Sequence, residues 1–246
     1  MHRYHILIEY VGTNFIGWQI QKKGQSVQNL IQKKIFKVLK EKINLVGSGR
    51  TDSGVHAIEQ SAHFVCKKKI KNLDKFLKSI NHFLNSQFVS ITSIKKRSSN
   101  FHARFSAKQR IYKYIIFNRV SVPSIYKNRG WHIRKKLNLK LMKKGSEKLL
   151  GTNDYSTFRS SSCNAKNPVR TIKFISIIKI KDRIEIKFKS QSFLQNQVRS
   201  MVGCLKYLAE NKWNLKKFEE VFKSKKRTLC APPAPAHGLF LEKVIY

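Results

Sequence analysis

The chain has 246 residues, 41% of them apolar and 11% aromatic, which supports one large core or two modest ones and excludes disorder as the main state. Its 51 Lys+Arg against 13 Asp+Glu leave a formal net charge of +38, the balance of a chain that seeks a polyanion. No apolar run approaches the roughly 18 to 20 residues of a membrane span, and no basic amphipathic helix offers an apolar face for a lipid surface, so a membrane partner is excluded at this level.

Alternation over residues 4–10 predicts a strand rather than a signal peptide. Residues 27–39 then place Val27, Leu30, Ile31, Ile35, Val38 and Leu39 on one helical face, with Ser26 available as N-cap. A glycine-punctuated loop follows, then a strand over 60–66, a helix over 73–84 built on Leu73, Phe76, Leu77, Ile80 and Leu84, and a strand over 88–95, a βαβαβ-like succession. The pattern restarts with a strand at 108–118, a helix at 137–150, strands near 171–179 and 183–190, a helix at 194–209 and a closing strand at 238–246. Loops are read at 120–131, 151–170 and 223–237, the last holding Pro232, Pro233 and Pro235. Gly145-Ser146 inside the third helix weakens it by about 1 kcal/mol relative to alanine, with no reason visible in the sequence.

This order suits two α+β halves better than one doubly wound sheet. The expectation is two ferredoxin-like-type halves, with mixed or antiparallel sheets, helices packed on them and an active-site cleft between: residues 1–105 carrying the loop and residues 106–246 closing the cleft. Four widely spaced cysteines, Cys66, Cys163, Cys204 and Cys230, form no Cys-x-x-Cys pair, so neither a zinc site nor a disulfide framework is signalled, and a soluble cytoplasmic protein with reduced thiols is expected.

Charge is unevenly placed. From Lys75 through Ser146 there is no Asp or Glu, while Arg97, Arg104, Arg110, Arg119, Arg129 and Arg134 fall there among many lysines. Cations that pair with phosphates release condensed counterions, which makes nucleic acid the leading partner and Arg104 and Arg110 candidates for holding it. Any single lysine is more simply a solvated surface charge.

Against that background the loop Gly47-Ser48-Gly49-Arg50-Thr51-Asp52-Ser53-Gly54-Val55-His56-Ala57 sets one acid beside an arginine. Its glycines miss the dinucleotide spacing, because Asp52 stands where the third glycine belongs, and Val55 and His56 occupy the Lys and Ser/Thr places of a P-loop. Asp52-Ser53-Gly54 is also simply a good turn. Context favours chemistry: Glu41, Asp74, Glu147, Glu210, Glu219 and Glu220 fall on predicted helices where solvation explains them, so few loop acids remain. Arg50 favours the ionised form of Asp52, and a carboxylate held ionised but poorly solvated is a competent nucleophile. His56 is a candidate for substrate contact or general base, beside the plainer reading of a loop histidine packed on strand residues.

The segment from Gly49 to Ala57 resembles the signature of the tRNA pseudouridine synthase A family. Further segments in the same order strengthen the resemblance: Gly12-Thr13-Asn14-Phe15 with Gly17-Trp18-Gln19, Phe101-His102-Ala103-Arg104-Phe105-Ser106-Ala107 with Arg110-Ile111-Tyr112-Lys113-Tyr114, Ser192-Phe193-Leu194 through to Gly203, and Gly238-Leu239-Phe240-Leu241. Val11 and Tyr155 depart from the family pattern, away from the proposed site.

The resemblance implies an isomerase that converts uridines of the tRNA anticodon arm, positions 38 to 40 in tRNA numbering, to pseudouridine as a homodimer, without cofactor or metal. It makes Asp52 the nucleophile and Tyr112 the active-site tyrosine that stacks on the flipped base; alternation alone puts Tyr112 and Tyr114 on one strand face and does not separate them. Arg199 lies on an otherwise apolar helix face and needs a partner, and the resemblance supports Asp52 as that partner. The competing reading is a non-catalytic basic RNA-binding protein, which leaves Asp52 without a task; a metal-dependent nuclease would want clustered carboxylates that the loops lack.

Overall fold

Apolar alternation at Tyr4, Ile6, Ile8 and Tyr10, all buried, makes His2–Tyr10 the strand β1 of a computed structural model that describes residues 1–246. The chain folds as two compact units, residues 1–108 with 240–246 and residues 109–239.

In the first unit β1 is followed by helix α1 (Val27–Leu39), strands β2 (Val46–Gly47) and β3 (His56–Cys66), helix α2 (Leu73–Leu84) and strand β4 (Val89–Arg97). β1 pairs antiparallel with β3 on one side and β4 on the other. Because β1 lies between β3 and β4, the β3–α2–β4 crossover is a split βαβ unit of the ferredoxin-like kind. β2 pairs antiparallel with β3. Ser26 caps α1, its side chain accepting from the Asn29 N–H at 3.2 Å, and Asn72 caps α2 through the Lys75 N–H at 2.8 Å. Inward faces of Val27, Leu30, Ile31 and Ile35, and of Phe76, Ile80 and Leu84, follow the periodicity read from the sequence.

The second unit holds β5 (Gln109–Asn118), β6 (Trp131–Ile133), α3 (Leu139–Glu147), β7 (Gly151–Asp154), β8 (Val169–Ile180), β9 (Arg183–Ser190), α4 (Gln197–Ala209) and α5 (Leu215–Lys223). Its strands run in the order β5-β9-β8-β7 with antiparallel neighbours, and β6 lies parallel beside β5. Ile184, Ile186 and Phe188 of β9, with Met201, Val202, Leu205 and Leu208 of α4, are among its core residues. Gly145 has a packing reason that the sequence did not show: a Cβ there would come within 2.3 Å of Leu208 Cδ2, so its absence lets α3 approach α4.

The last strand, β10 (Leu239–Ile245), departs from the sequence expectation that residues 106–246 form one half. It pairs in parallel with β3 at Phe240 and Leu241, which returns the end of the chain to the first unit. Helix α4 starts three residues later than read because Asn196 is left-handed (φ 62°), and α3 starts at Leu139 because Asn138 caps it. Glu210 is a further correction, since it is only 6% exposed and paired with Lys206 at 2.8 Å, so ion pairing and not solvation explains it. Glu41 lies past the end of α1 and accepts the Lys67 N–H at 2.7 Å.

Candidate active site

The loop between β2 and β3 is bolted down on both sides of its acid. Thr51 is buried, its hydroxyl 2.7 Å from the Tyr10 hydroxyl, and its carbonyl accepts the Trp18 N–H at 3.1 Å. On the other side the Ser53 hydroxyl donates to the Phe15 carbonyl at 3.1 Å. Asp52 itself, half-buried, begins a turn closed by the Val55 N–H on its carbonyl at 3.2 Å, with Gly54 in the left-handed region at φ 78°. The strap that grips the loop approaches it closely: Gly17 has φ 112°, and a Cβ on it would stand 2.7 Å from the Thr51 carbonyl oxygen. Thus the segment Gly12 to Gln19, noticed in the sequence only as a motif, is the clamp of the Asp52 loop.

Further polar clamps hold the start of the loop. The Ser48 hydroxyl donates to Gln60 Oε1 at 2.9 Å, and Gln60 Nε2 donates to the Gly49 carbonyl at 2.9 Å. Gln60 is fully buried, and sequence reasoning missed it along with Thr51, Tyr10 and Trp18. The available signal was an amide at the head of the strand read over 60–66, because a buried amide must find partners.

Arg50 is exposed beside Asp52. His56 is 1% exposed; its Nδ1 accepts the Gly12 N–H at 3.0 Å and its ring stacks on Phe240 at 4.7 Å. These contacts tie the strap to β3. Arg104 is exposed, its guanidinium 5.7 Å from the Phe105 ring centroid. Arg110 is 9% exposed, and its Nη1 donates to the Gln191 carbonyl at 2.5 Å.

Tyr112 and Tyr114 share a strand but differ in their contacts. The Tyr114 hydroxyl donates to the Pro235 carbonyl at 2.8 Å, and burial pushes its pKa well above the ordinary tyrosine value. Tyr114 is therefore an anchor for the proline-containing segment, whereas Tyr112 meets Phe193 edge-on at 5.3 Å. Arg199 of α4 donates from Nε to the Ala234 carbonyl at 2.7 Å and from Nη1 to Asn196 Oδ1 at 3.1 Å. Its charge reaches His237, whose pKa is lowered first by burial and then by Arg199. No three His, Cys, Asp or Glu side chains are grouped to hold a metal ion.

The chain is thus built as two α+β units, one of which carries a loop carboxylate between two clamped neighbours in a polycationic sequence. The family model described as tRNA pseudouridine synthase matches residues 6–106 and 146–246, and the chain belongs to that family. It is similar to the tRNA pseudouridine synthase A of Pelagibacter ubique (strain HTCC1062), 73% identical over 246 residues and 100% of both chains. The tRNA pseudouridine synthase A of Thermoanaerobacter sp. (strain X514) is 41% identical over the same full lengths. Among solved structures, a crystal structure of a Cbf5-Nop10-Gar1 complex matches 83% of this chain and 53% of that one at 12% identity, with a TM-score of 0.34.

Proposed function

We propose that the protein isomerises uridine to pseudouridine in the anticodon arm of tRNA, at positions 38 to 40, with Asp52 as the nucleophilic carboxylate. The observation that supports this most is the immobilisation of both neighbours of Asp52, Thr51 through Tyr10 and Trp18 and Ser53 through Phe15, which fixes a half-buried carboxylate with no regular element around it. A loop acid in a chain of net charge +38 has little other reason to be held so firmly.

The reaction balances without a redox or hydrolytic partner. The N1–C1′ bond breaks, the base turns, the C5–C1′ bond forms, and the proton lost from C5 is matched by one gained at N1. Attack at C1′, attack at C6 and elimination to a glycal each require one ionised carboxylate next to an unstacked nucleotide. In this reading Arg50 and Arg199 are the cations that favour the ionised state of Asp52, Tyr112 packs on the flipped base, and Arg104 takes phosphate. Extruding a stacked base costs a few kcal/mol, which phosphate contacts offset. The enzyme is a cytoplasmic homodimer in this proposal, a state that light scattering reads directly.

Tritium release from tRNA labelled at uridine C5 tests the assignment. Wild type releases the label, and Asp52→Ala slows release by about 10⁴-fold or more, the scale on which losing a catalytic nucleophile registers, while tRNA binding changes little. Wild-type protein that binds tRNA and releases nothing would leave the non-catalytic RNA-binding reading in its place.

A further inference from the structure

Phe105 is 76% exposed, yet the turn that carries it is closed and firm. The His102 N–H donates to the Ser106 hydroxyl at 3.0 Å, and the Ser106 N–H returns to the His102 carbonyl at 2.9 Å. His102 Nδ1 accepts the N–H groups of Arg104 at 3.2 Å and Phe105 at 3.3 Å. That arrangement needs an unprotonated Nδ1, and burial, then Arg3 and Arg104, lower the His102 pKa in the direction that keeps the ring neutral. The His102 ring lies against the Phe105 ring at 4.4 Å and 29°. A large aromatic is thus backed by a second ring on one side and displayed to solvent, when burial would ordinarily be favourable.

The surroundings say what it is displayed to. The Arg104 guanidinium lies over the Phe105 ring at 5.7 Å from its centroid, and the Arg97 guanidinium lies 5.1 Å over the neighbouring Phe101 ring. The whole turn falls within the acid-free stretch from Lys75 to Ser146. Exposed aromatic faces set among cations are the pattern by which single-stranded nucleic acid is held: bases stack on the rings and phosphates meet the cations.

We propose that Phe105 is a stacking platform for an unstacked nucleobase of the tRNA substrate, braced from behind by His102, with the Arg104 guanidinium beside it for the adjoining phosphate. The proposal rests on the tRNA-modifying reading above and adds a substrate-positioning residue to it. Phe105 acts on binding and register, so its loss weakens substrate capture more than it slows the bond-breaking step.

The test measures kcat and KM for tRNA, tritium release and tRNA affinity for wild type, Phe105→Ala, Phe105→Leu and Phe105→Trp. Stacking predicts that Phe105→Ala raises KM and the dissociation constant about 5- to 150-fold with kcat within about twofold, that Phe105→Trp recovers wild-type affinity, and that Phe105→Leu does not. In Phe105→Trp, tRNA quenches tryptophan fluorescence beyond the quenching seen in wild type. Unchanged KM in Phe105→Ala, recovery by leucine as complete as by tryptophan, or a changed oligomeric state as the sole effect would each overturn the platform. An inactive wild type would instead overturn the reading on which it rests, so the two failures are distinguishable.

Discussion

Asp52 owes its position to its neighbours, and the sequence shows the acid without showing that geometry. The acid, its arginine and the turn glycine can be picked out by residue type alone. The grip on Thr51 and Ser53 cannot, because it comes from residues some 30 to 40 positions earlier whose only sequence mark was a run of small and aromatic residues. Gly17→Ala tests that grip. The substitution forces an L side chain into φ 112° and sets its Cβ 2.7 Å from the Thr51 carbonyl oxygen, so about 1 to 3 kcal/mol of stability is lost or the loop shifts. Since a shift of about 1 Å at a catalytic group can cost on the order of 100-fold in rate, kcat falls while the tRNA dissociation constant stays within a few-fold. Equal kcat for this variant and wild type would show that the strap does not set the carboxylate.

Among the elements, α1, α2 and β9 were read with their observed bounds, because each combines an unbroken periodicity with a clear cap or turn. The misses have physical causes. β7 is a short strand of Gly-Thr-Asn-Asp, whose composition is that of a turn and whose extension comes from pairing with β8. Helix α5 was given no bounds, although Glu219 and Glu220 were placed on a helix; its inward Phe218, Val221 and Phe222 lie among lysines that mask the stripe. Non-local pairing also explains why β10, itself read as a strand, was allotted to the second half, since its partner β3 is more than 170 residues away in the chain. The β1–β3 pair yields a pH prediction. His5 meets the Ser61 hydroxyl at 2.7 Å, and His63 Nδ1 accepts the Ala103 N–H at 3.1 Å. Burial, then the nearby Arg97, lowers His5 to about 4, and burial, then His102, lowers His63 to about 4. Unfolded histidine titrates near 6.5. Between these values the unfolded chain binds more protons than the folded one, so the stabilisation is complete above about pH 6.5 and is lost as pH falls towards 4. The urea midpoint should be level from pH 8 to 7 and fall between pH 6.5 and 5, where carboxylates are still largely ionised. A level midpoint across that interval would mean that neither imidazole is held neutral by the fold.

At the scale of the molecule the charge dominates, and it was fully legible, since a net +38 needs no coordinates. The structure adds how the arginines of the acid-free stretch are placed. Arg110 donates to the Gln191 carbonyl, and Arg119 pairs with Asp182 at 2.8 Å, whereas Arg104 and Arg134 face solvent. Such a charge has two consequences of opposite sign in salt. Self-repulsion strains the folded chain without RNA, and screening relieves it, so the melting temperature of the free protein rises as salt is added from about 50 to 200 mM. Over the same interval tRNA binding weakens, because counterions released on binding must be released into a more concentrated solution. With four or five phosphates neutralised, the loss of affinity is about 100-fold. Neither trend alone is decisive, since many proteins gain stability in salt and most RNA binders lose affinity. Their crossing is more specific: tRNA raises the melting temperature strongly at low salt and progressively less at high salt, until salt itself is the better stabiliser. Thermal melts with and without tRNA at several salt concentrations read both terms together. If the tRNA-induced rise were the same at every salt concentration, binding would not run through phosphate neutralisation, and the cationic stretch would have no part in holding the substrate.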